Sequence, residues 1–269
     1  MRHLRLESPE GACVDVSAQG AQVLSWRDAS GRERFFLSPN AVFAPGQAIR
    51  GGAPVVFPQF SGRGALPKHG FARGLPWTAG PVEALPDGLS RLSLSLNASA
   101  ETRVLWAHEF EAVMEITLGA RELEMRLRVR NTGPAPFAFT AALHSYFAAD
   151  LSDARLRGLA GRPYEDAADG GRWRLQEGDE VAFGAELDRV YPEVADELTL
   201  VAGGQGLRIA ADGFRDVVVW NPGPVLAAAL PDLGAGQHLH FVCVEAANVL
   251  HPVVLAPGQA WSGAQRLFA

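Results

Sequence analysis

Apolar and polar positions alternate with a period of two along much of this chain. From Val104 to Leu118 one face carries Trp106, His108, Phe110, Ala112, Met114, Ile116 and Leu118, with Glu109, Glu111 and Glu115 opposite. After Gly119-Ala120-Arg121 the alternation resumes, with Leu123, Met125, Leu127 and Val129 against Glu122, Glu124, Arg126, Arg128 and Arg130. This predicts a long hairpin with one buried and one solvated face. Shorter alternations at 91–96, 137–143, 198–201, 217–220 and 239–245 predict further strands. Turn-forming clusters such as Pro86-Asp87-Gly88, Asn131-Thr132-Gly133-Pro134 and Ala202-Gly203-Gly204 separate them. No helical periodicity longer than about three turns intervenes. Strands in series without interleaved helices favour packed antiparallel sheets. With no internal repeat and no linker, the expectation is an all-β fold, one large antiparallel β-sandwich domain over residues 1–269.

Composition narrows the function classes. The chain has 269 residues and is 48% hydrophobic, enough to build a core and too much for a disordered chain. A net charge of −6 argues against a general nucleic-acid or anionic-membrane surface. Cys13 and Cys243 are far apart and outside any CxxC pattern, so neither a disulfide scaffold nor a thiolate metal site is expected. The charged start Met1–Glu7 lacks an apolar segment of signal-peptide length, and the stretch 225–230 is far short of the ~20 residues a membrane span needs. A cytoplasmic protein with reduced cysteines is expected.

One local charge pattern departs from the average. Between Glu33 and Glu83 there is no acidic residue, while Arg34, Arg50, Arg63, Lys68 and Arg73 give that window a formal +5. Lys68 is the only lysine of the chain.

Familiar enzyme signatures are absent: there is no GxSxG elbow around Ser61, no GxxxxGK[ST] loop and no strand-linked GxGxxG. Cys243 follows strand-like residues and reads as a small buried hydrophobe. Among the histidines, His108 falls on the apolar face of a predicted strand and reads as a core residue. His238 and His240 share a strand face and could chelate a metal, but no third ligand is positioned by sequence. His251 precedes Pro252 in a predicted turn, without a partner. His69 lies in Leu66-Pro67-Lys68-His69-Gly70-Phe71-Ala72-Arg73, a shaped loop with two cations; a binding role and a solvated basic turn both fit. His144 ends the predicted strand 137–143, where its pKa near ~6.5 suits acid–base work. Glu245 emerges from the apolar run Phe241-Val242-Cys243-Val244, so a raised pKa is expected, or else a plain strand-end glutamate.

Taken in order, several segments resemble the aldose 1-epimerase (mutarotase) superfamily, most closely its glucose-6-phosphate 1-epimerase branch. They are Arg50-Gly51-Gly52-Ala53-Pro54-Val55-Val56-Phe57-Pro58-Gln59-Phe60, then His69-Gly70-Phe71-Ala72-Arg73, which is similar to the branch's HGFAR signature. Ala142-Leu143-His144-Ser145-Tyr146-Phe147, Leu187-Asp188-Arg189-Val190-Tyr191, Val219-Trp220-Asn221-Pro222 and Val242-Cys243-Val244-Glu245 follow. The set spans roughly four-fifths of the chain. One departure is Lys68, where the branch commonly has glutamine.

The resemblance implies a galactose mutarotase-like supersandwich and an isomerase that interconverts α and β anomers of a hexose 6-phosphate. It implies His144 as the acid that protonates the ring oxygen and Glu245 as the base that takes the anomeric hydroxyl proton. Arg50, His69, Arg73 and Asp188 would line the sugar site; Lys68, by its charge, is expected to add to phosphate binding, and Asp188 to help keep His144 charged. No metal, cofactor, nucleic acid or membrane partner is implied, and a monomer is expected. The alternatives are a mutarotase of unphosphorylated aldoses, a non-catalytic carbohydrate-binding sandwich domain, and a metal enzyme using His238 and His240.

Overall fold

The computed structural model describes residues 3–269; Met1 and Arg2 of the charged start lie outside the described residues. The fold is mostly β, and its sheets are antiparallel throughout. One large sheet runs in the order Arg172–Leu175, Pro163–Asp166, Leu187–Tyr191, Asp216–Asn221, Phe241–Leu255, Phe137–Leu143 and Val55–Val56, with Tyr146–Ala148 also paired to Phe241–Leu255. The second runs Glu180–Ala182, Arg155–Arg157, Leu198–Ala202, Gln205–Asp212, Ala260–Phe268, Glu122–Asn131, Phe110–Leu118, Ser90–Asn97 and Thr78–Ala84. A smaller sheet joins His3–Glu7, Cys13–Ser17 and Gln22–Arg27.

The period-two pattern explains how the sheets meet. In Phe110–Leu118 every second residue, from Phe110 through Met114 to Leu118, is buried, and the alternate ones are part-exposed. The partner strand Glu122–Asn131 matches it, with Leu123, Met125, Leu127 and Val129 inward. Glu115 on the outer face pairs with Arg128 across the hairpin. Val217, Val219, Val244 and Ala246 of the other large sheet join the same core cluster. The strand Phe241–Leu255 differs: its first nine residues are all buried. Its outward residues are covered as well, Cys243 beside Phe36, Tyr146 and Phe241, and Ala247 beside Phe60 and Val218. That second covering puts a carboxylate from this strand out of bulk water.

Three local expectations are corrected. Val104 and Leu105, at the start of the expected strand, belong instead to a short α-helix, Ala100–Leu105. Ser99 caps it, accepting from the Thr102 amide at 3.2 Å while the Thr102 hydroxyl accepts from the Ser99 amide at 2.8 Å. This reciprocal cap outweighs a weak alternation. His108 then sits outside any strand, half-buried against the rings of Trp106 and Phe137. His238 and His240 belong to the 3-10 turn Gln237–His240, so the shared strand face does not exist. His251 lies inside Phe241–Leu255, at a register shift between Asn248 and Val253, and has neighbours: Nδ1 is 3.7 Å from Glu193 Oε1 and 3.9 Å from Asp216 Oδ1.

Among the described residues no helix is long and apolar enough to cross a membrane. Both cysteines are buried and free. Met114 is fully buried between the sheets. Met114→Ala should therefore lower unfolding free energy by about 2–5 kcal/mol, read from urea melts.

Candidate active site

A cleft of about 360 Å³ opens on the outer face of the first sheet. Arg50, Lys68, His69, Arg73, His144, Asp188 and Glu245, all seven residues singled out from sequence, line it. A wider groove of about 640 Å³ at the far edge of that sheet, lined in part by Trp173 and Arg189, contains none of them. The smaller cleft is where titratable groups converge, so it is the candidate site.

Strand pairing builds its centre. Leu143 pairs with Ala246 and Tyr146 with Cys243, so one continuous register sets His144 opposite Glu245 and Ser145 opposite Val244. On its other side the segment is held by Gly52–Pro54: the His144 amide donates to Pro54 O at 3.0 Å and the Tyr146 amide to Gly52 O at 2.8 Å. Directly opposed residues of an antiparallel pair keep their Cβ atoms ~4.5–5.5 Å apart. His144 Nε2 accordingly lies 3.3 Å from Glu245 Oε1. The imidazole stacks on Tyr146, with ring centroids 4.9 Å apart, and meets Trp220 edge-on.

His69 enters from the loop that follows Val55–Val56. Its φ is +67° and that of Gly70 is +69°. A Cβ on Gly70 would stand 2.2 Å from Phe57 O, so only glycine fits where this loop turns against the strand. Phe71 then anchors the turn against Phe57 and Phe110, Ala72 is fully buried, and Arg73 is turned back to the cleft. The spacing of His69-Gly70-Phe71-Ala72-Arg73 thus has a packing reason at each step. The Ser61 amide donates to His69 Nδ1 at 3.3 Å, which leaves the Nε2–H of a neutral ring as the free donor. Burial, reinforced by His144 and Arg73, pushes the His69 pKa far below the ordinary range, so this ring stays neutral.

The cations divide into two groups. Arg34 pairs with buried Asp28, and Arg63 pairs with Glu165. Arg50 is held by a fork to Asp232, with Nε to Oδ2 at 3.1 Å and Nη2 to Oδ1 at 3.2 Å, and its Nη1 donates to the Tyr146 hydroxyl at 3.0 Å. Arg73 donates one bond to the Lys68 carbonyl at 3.0 Å. Among the described residues no carboxylate lies within ion-pair distance of Arg73 or Lys68. The formal +5 of the acid-free window therefore reduces, at the cleft, to two uncompensated cations.

The acid–base pair is buried, with Glu245 1% and His144 6% exposed. Burial, with the charge of Asp188 adding to it, holds the Glu245 carboxyl well above the usual carboxylate range. Burial, then the guanidiniums of Arg73 and Arg50, lowers His144 to about 3. The expectation that a carboxylate keeps His144 charged is thus reversed by desolvation and by two cations. Both shifts favour a neutral imidazole facing a protonated carboxyl, with His144 Nε2 3.3 Å from Glu245 Oε1. Asp188, opposite Trp220 in the sheet, is itself pushed up to about 6 by burial, against the pull of Lys68 and Arg63.

Sequence reasoning missed Tyr146 and Asp232. Tyr146 has a signal, two residues past His144 and therefore on its face of the sheet. Asp232 has none, because it reaches Arg50 from a loop 182 residues away. Among the described residues no group of three or more His, Cys, Asp or Glu is arranged to hold a metal ion.

A large antiparallel β-sandwich bearing a buried His–Glu pair in an arginine-flanked cleft defines a mutarotase-type protein. The chain matches the aldose 1-epimerase family over residues 2–267, and it belongs to that family of isomerases. A Cenchrus ciliaris protein described as a "Putative glucose-6-phosphate 1-epimerase" is 34% identical over 268 residues, covering 96% of this chain and 82% of the relative. A protein of the same description from Escherichia coli K12 is 37% identical over 241 residues, covering 87% and 79%. Among solved structures, one titled a putative mutarotase from Salmonella typhimurium superposes with a TM-score of 0.91 at 28% identity, covering 99% of this chain and 89% of that one.

Gly70→Ala should cost roughly 1–3 kcal/mol in urea melts, because the left-handed turn is over-determined by Phe57. It should also displace His69 from the cleft, read as a shift of its imidazole NMR signals.

Proposed function

We propose that this protein interconverts the α and β anomers of a hexose 6-phosphate, most simply glucose 6-phosphate. The observation that carries the reading is the coexistence of an acid–base pair with two uncompensated cations, Arg73 and Lys68, in one cleft. Ring opening takes the proton from the hydroxyl on carbon 1 and delivers one to the ring oxygen. The carbon 1–ring oxygen bond breaks as the carbonyl forms. After rotation about the bond between carbons 1 and 2 the same steps run backwards on the other face. No electrons leave the sugar and no atom is lost, so one carboxylate and one imidazole suffice, each contributing roughly 10²–10⁴ in rate.

In this reading Glu245 acts as the base and His144 as the acid, which requires the carboxyl proton to move to the imidazole. A phosphate supplies the reason for that transfer. Arg73 and Lys68 both depress His144 while they lack an anion. Close to two negative charges beside them offset that potential, so the imidazolium–carboxylate form gains when substrate enters. Arg73 offers a planar fork and Lys68 a point charge, whereas Arg50 is occupied by Asp232 and acts through Tyr146. His69 Nε2–H and Asp188 would then hold sugar hydroxyls.

Anomer exchange with glucose 6-phosphate, measured against the spontaneous rate, tests the activity. Glu245→Gln and His144→Asn should each remove most of the acceleration without unfolding the protein; near-wild-type turnover in either would refute the assignment. The activity should fall as the pH drops through about 6, where Asp188 in the same cleft takes up a proton and the phosphate of the substrate loses its second charge.

Arg73→Ala should reduce kcat/KM for glucose 6-phosphate far more than for glucose. Equal use of the two sugars by the unmodified protein would instead favour an aldose mutarotase without a phosphate subsite.

A further inference from the structure

The inward face of the strand Ala260–Phe268 contributes Leu267 to the core between the sheets, and the same face also carries Gln265. Gln265 is 1% exposed and pairs in register with Met125 and Ala211, so its amide points away from solvent among apolar neighbours. A buried amide is costly unless its donor and acceptor are both used. Here both are. The Ser145 hydroxyl donates to Gln265 Oε1 at 2.6 Å, and Gln265 Nε2 donates to the Val244 carbonyl at 2.9 Å.

These two partners are the chain neighbours of the acid–base pair. Ser145 follows His144, and Val244 precedes Glu245. They stand opposite each other on the inner side of the sheet, as His144 and Glu245 do on the outer side. The Val244 amide also donates to Ser145 O at 3.2 Å, which closes the link. Ser145 is fully buried and lies in the short stretch between the strands Phe137–Leu143 and Tyr146–Ala148. Without the Gln265 tie, the segment holding His144 would depend on the 3.2 Å Val244–Ser145 bond and on its flanking bonds to Pro54 and Gly52.

We propose that Gln265 is a positioning residue: from the opposite sheet it clamps Ser145 to Val244 and thereby sets the separation of His144 from Glu245. The proposal takes its reaction from the anomer-exchange reading above. The amide never touches sugar. Its effect passes through two peptide units, each one residue away from a group that moves a proton. Productive proton transfer tolerates displacements well under ~1 Å, and a shift of that size costs on the order of 10²-fold in rate. Loss of the clamp should therefore be read in kcat, while sugar affinity, set by groups on other loops, stays close to its original value.

Gln265→Met keeps the side-chain length and removes both bonds. Ser145→Ala removes a single oxygen and keeps the test alive if the methionine variant does not fold. The expected result, at a temperature well below the melting point of each variant, is kcat for glucose 6-phosphate lowered on the order of 10²-fold for Gln265→Met. Ser145→Ala should give a smaller loss, and KM should be little changed in both. The imidazole NMR signals of His144 in the free protein should shift in chemical shift and titration midpoint. Folded variants with unaltered kcat and unaltered His144 signals, whether or not their melting points fall, would overturn the proposal. The NMR measurement does not depend on turnover. If the unmodified protein fails to accelerate anomer exchange, the functional reading fails, while the clamp is still judged by the imidazole signals.

Discussion

The site depends on one constraint, the antiparallel pairing of residues 143–146 with 243–246. That pairing places an imidazole directly opposite a carboxylate on one face and brings their chain neighbours together on the other. It also sits in the middle of a sheet covered on both faces, so neither group is solvated as it would be at an edge. Desolvation then sets the chemistry. A carboxyl taken out of water retains its proton and an imidazole taken out of water sheds one, which leaves a single proton between two facing groups.

Charge in the cleft is a matter of compensation more than of number. Five cations lie close together in the sequence, but three are neutralised by carboxylates contributed from elsewhere: Asp28, Glu165 and Asp232. The Arg50–Asp232 fork orders the Tyr146 hydroxyl without offering an open positive charge. Arg73 and Lys68, lacking such partners, dominate the potential felt by an anion entering the cleft. Burial, then Arg73, Arg50 and Lys68, reduce the affinity of His144 for a proton. The cationic and acid–base halves of the cleft are thus coupled through electrostatics as well as through space.

The strands were legible wherever one face is buried and the other wet. The 137–143 alternation coincides with the strand observed, and the hairpin break at Gly119-Ala120-Arg121 separates Phe110–Leu118 from Glu122–Asn131. Legibility failed where a local interaction competes with the sheet. The Ser99–Thr102 cap captures 100–105 as helix, and the turn at Gly236 captures His238 and His240. It failed again at His251-Pro252, where a register shift absorbs the irregularity and lets the strand continue to Leu255. Period-two patterning reports burial, and such exceptions are set by hydrogen bonds that the pattern does not contain.

By itself the sequence determined the β class and the two faces of most strands, because these follow from side-chain type and short-range order, while the groups of the cleft were indicated by the resemblance of ordered segments to a family. The tertiary structure decided which of those groups remain active in the cleft. Pairing across about a hundred residues brought His144 to Glu245, Asp232 removed Arg50 from the pool of open charges, and burial reversed the expected protonation of the pair. Those outcomes depend on distances and dielectric surroundings created only when remote segments pack, and no local pattern along the chain encodes them.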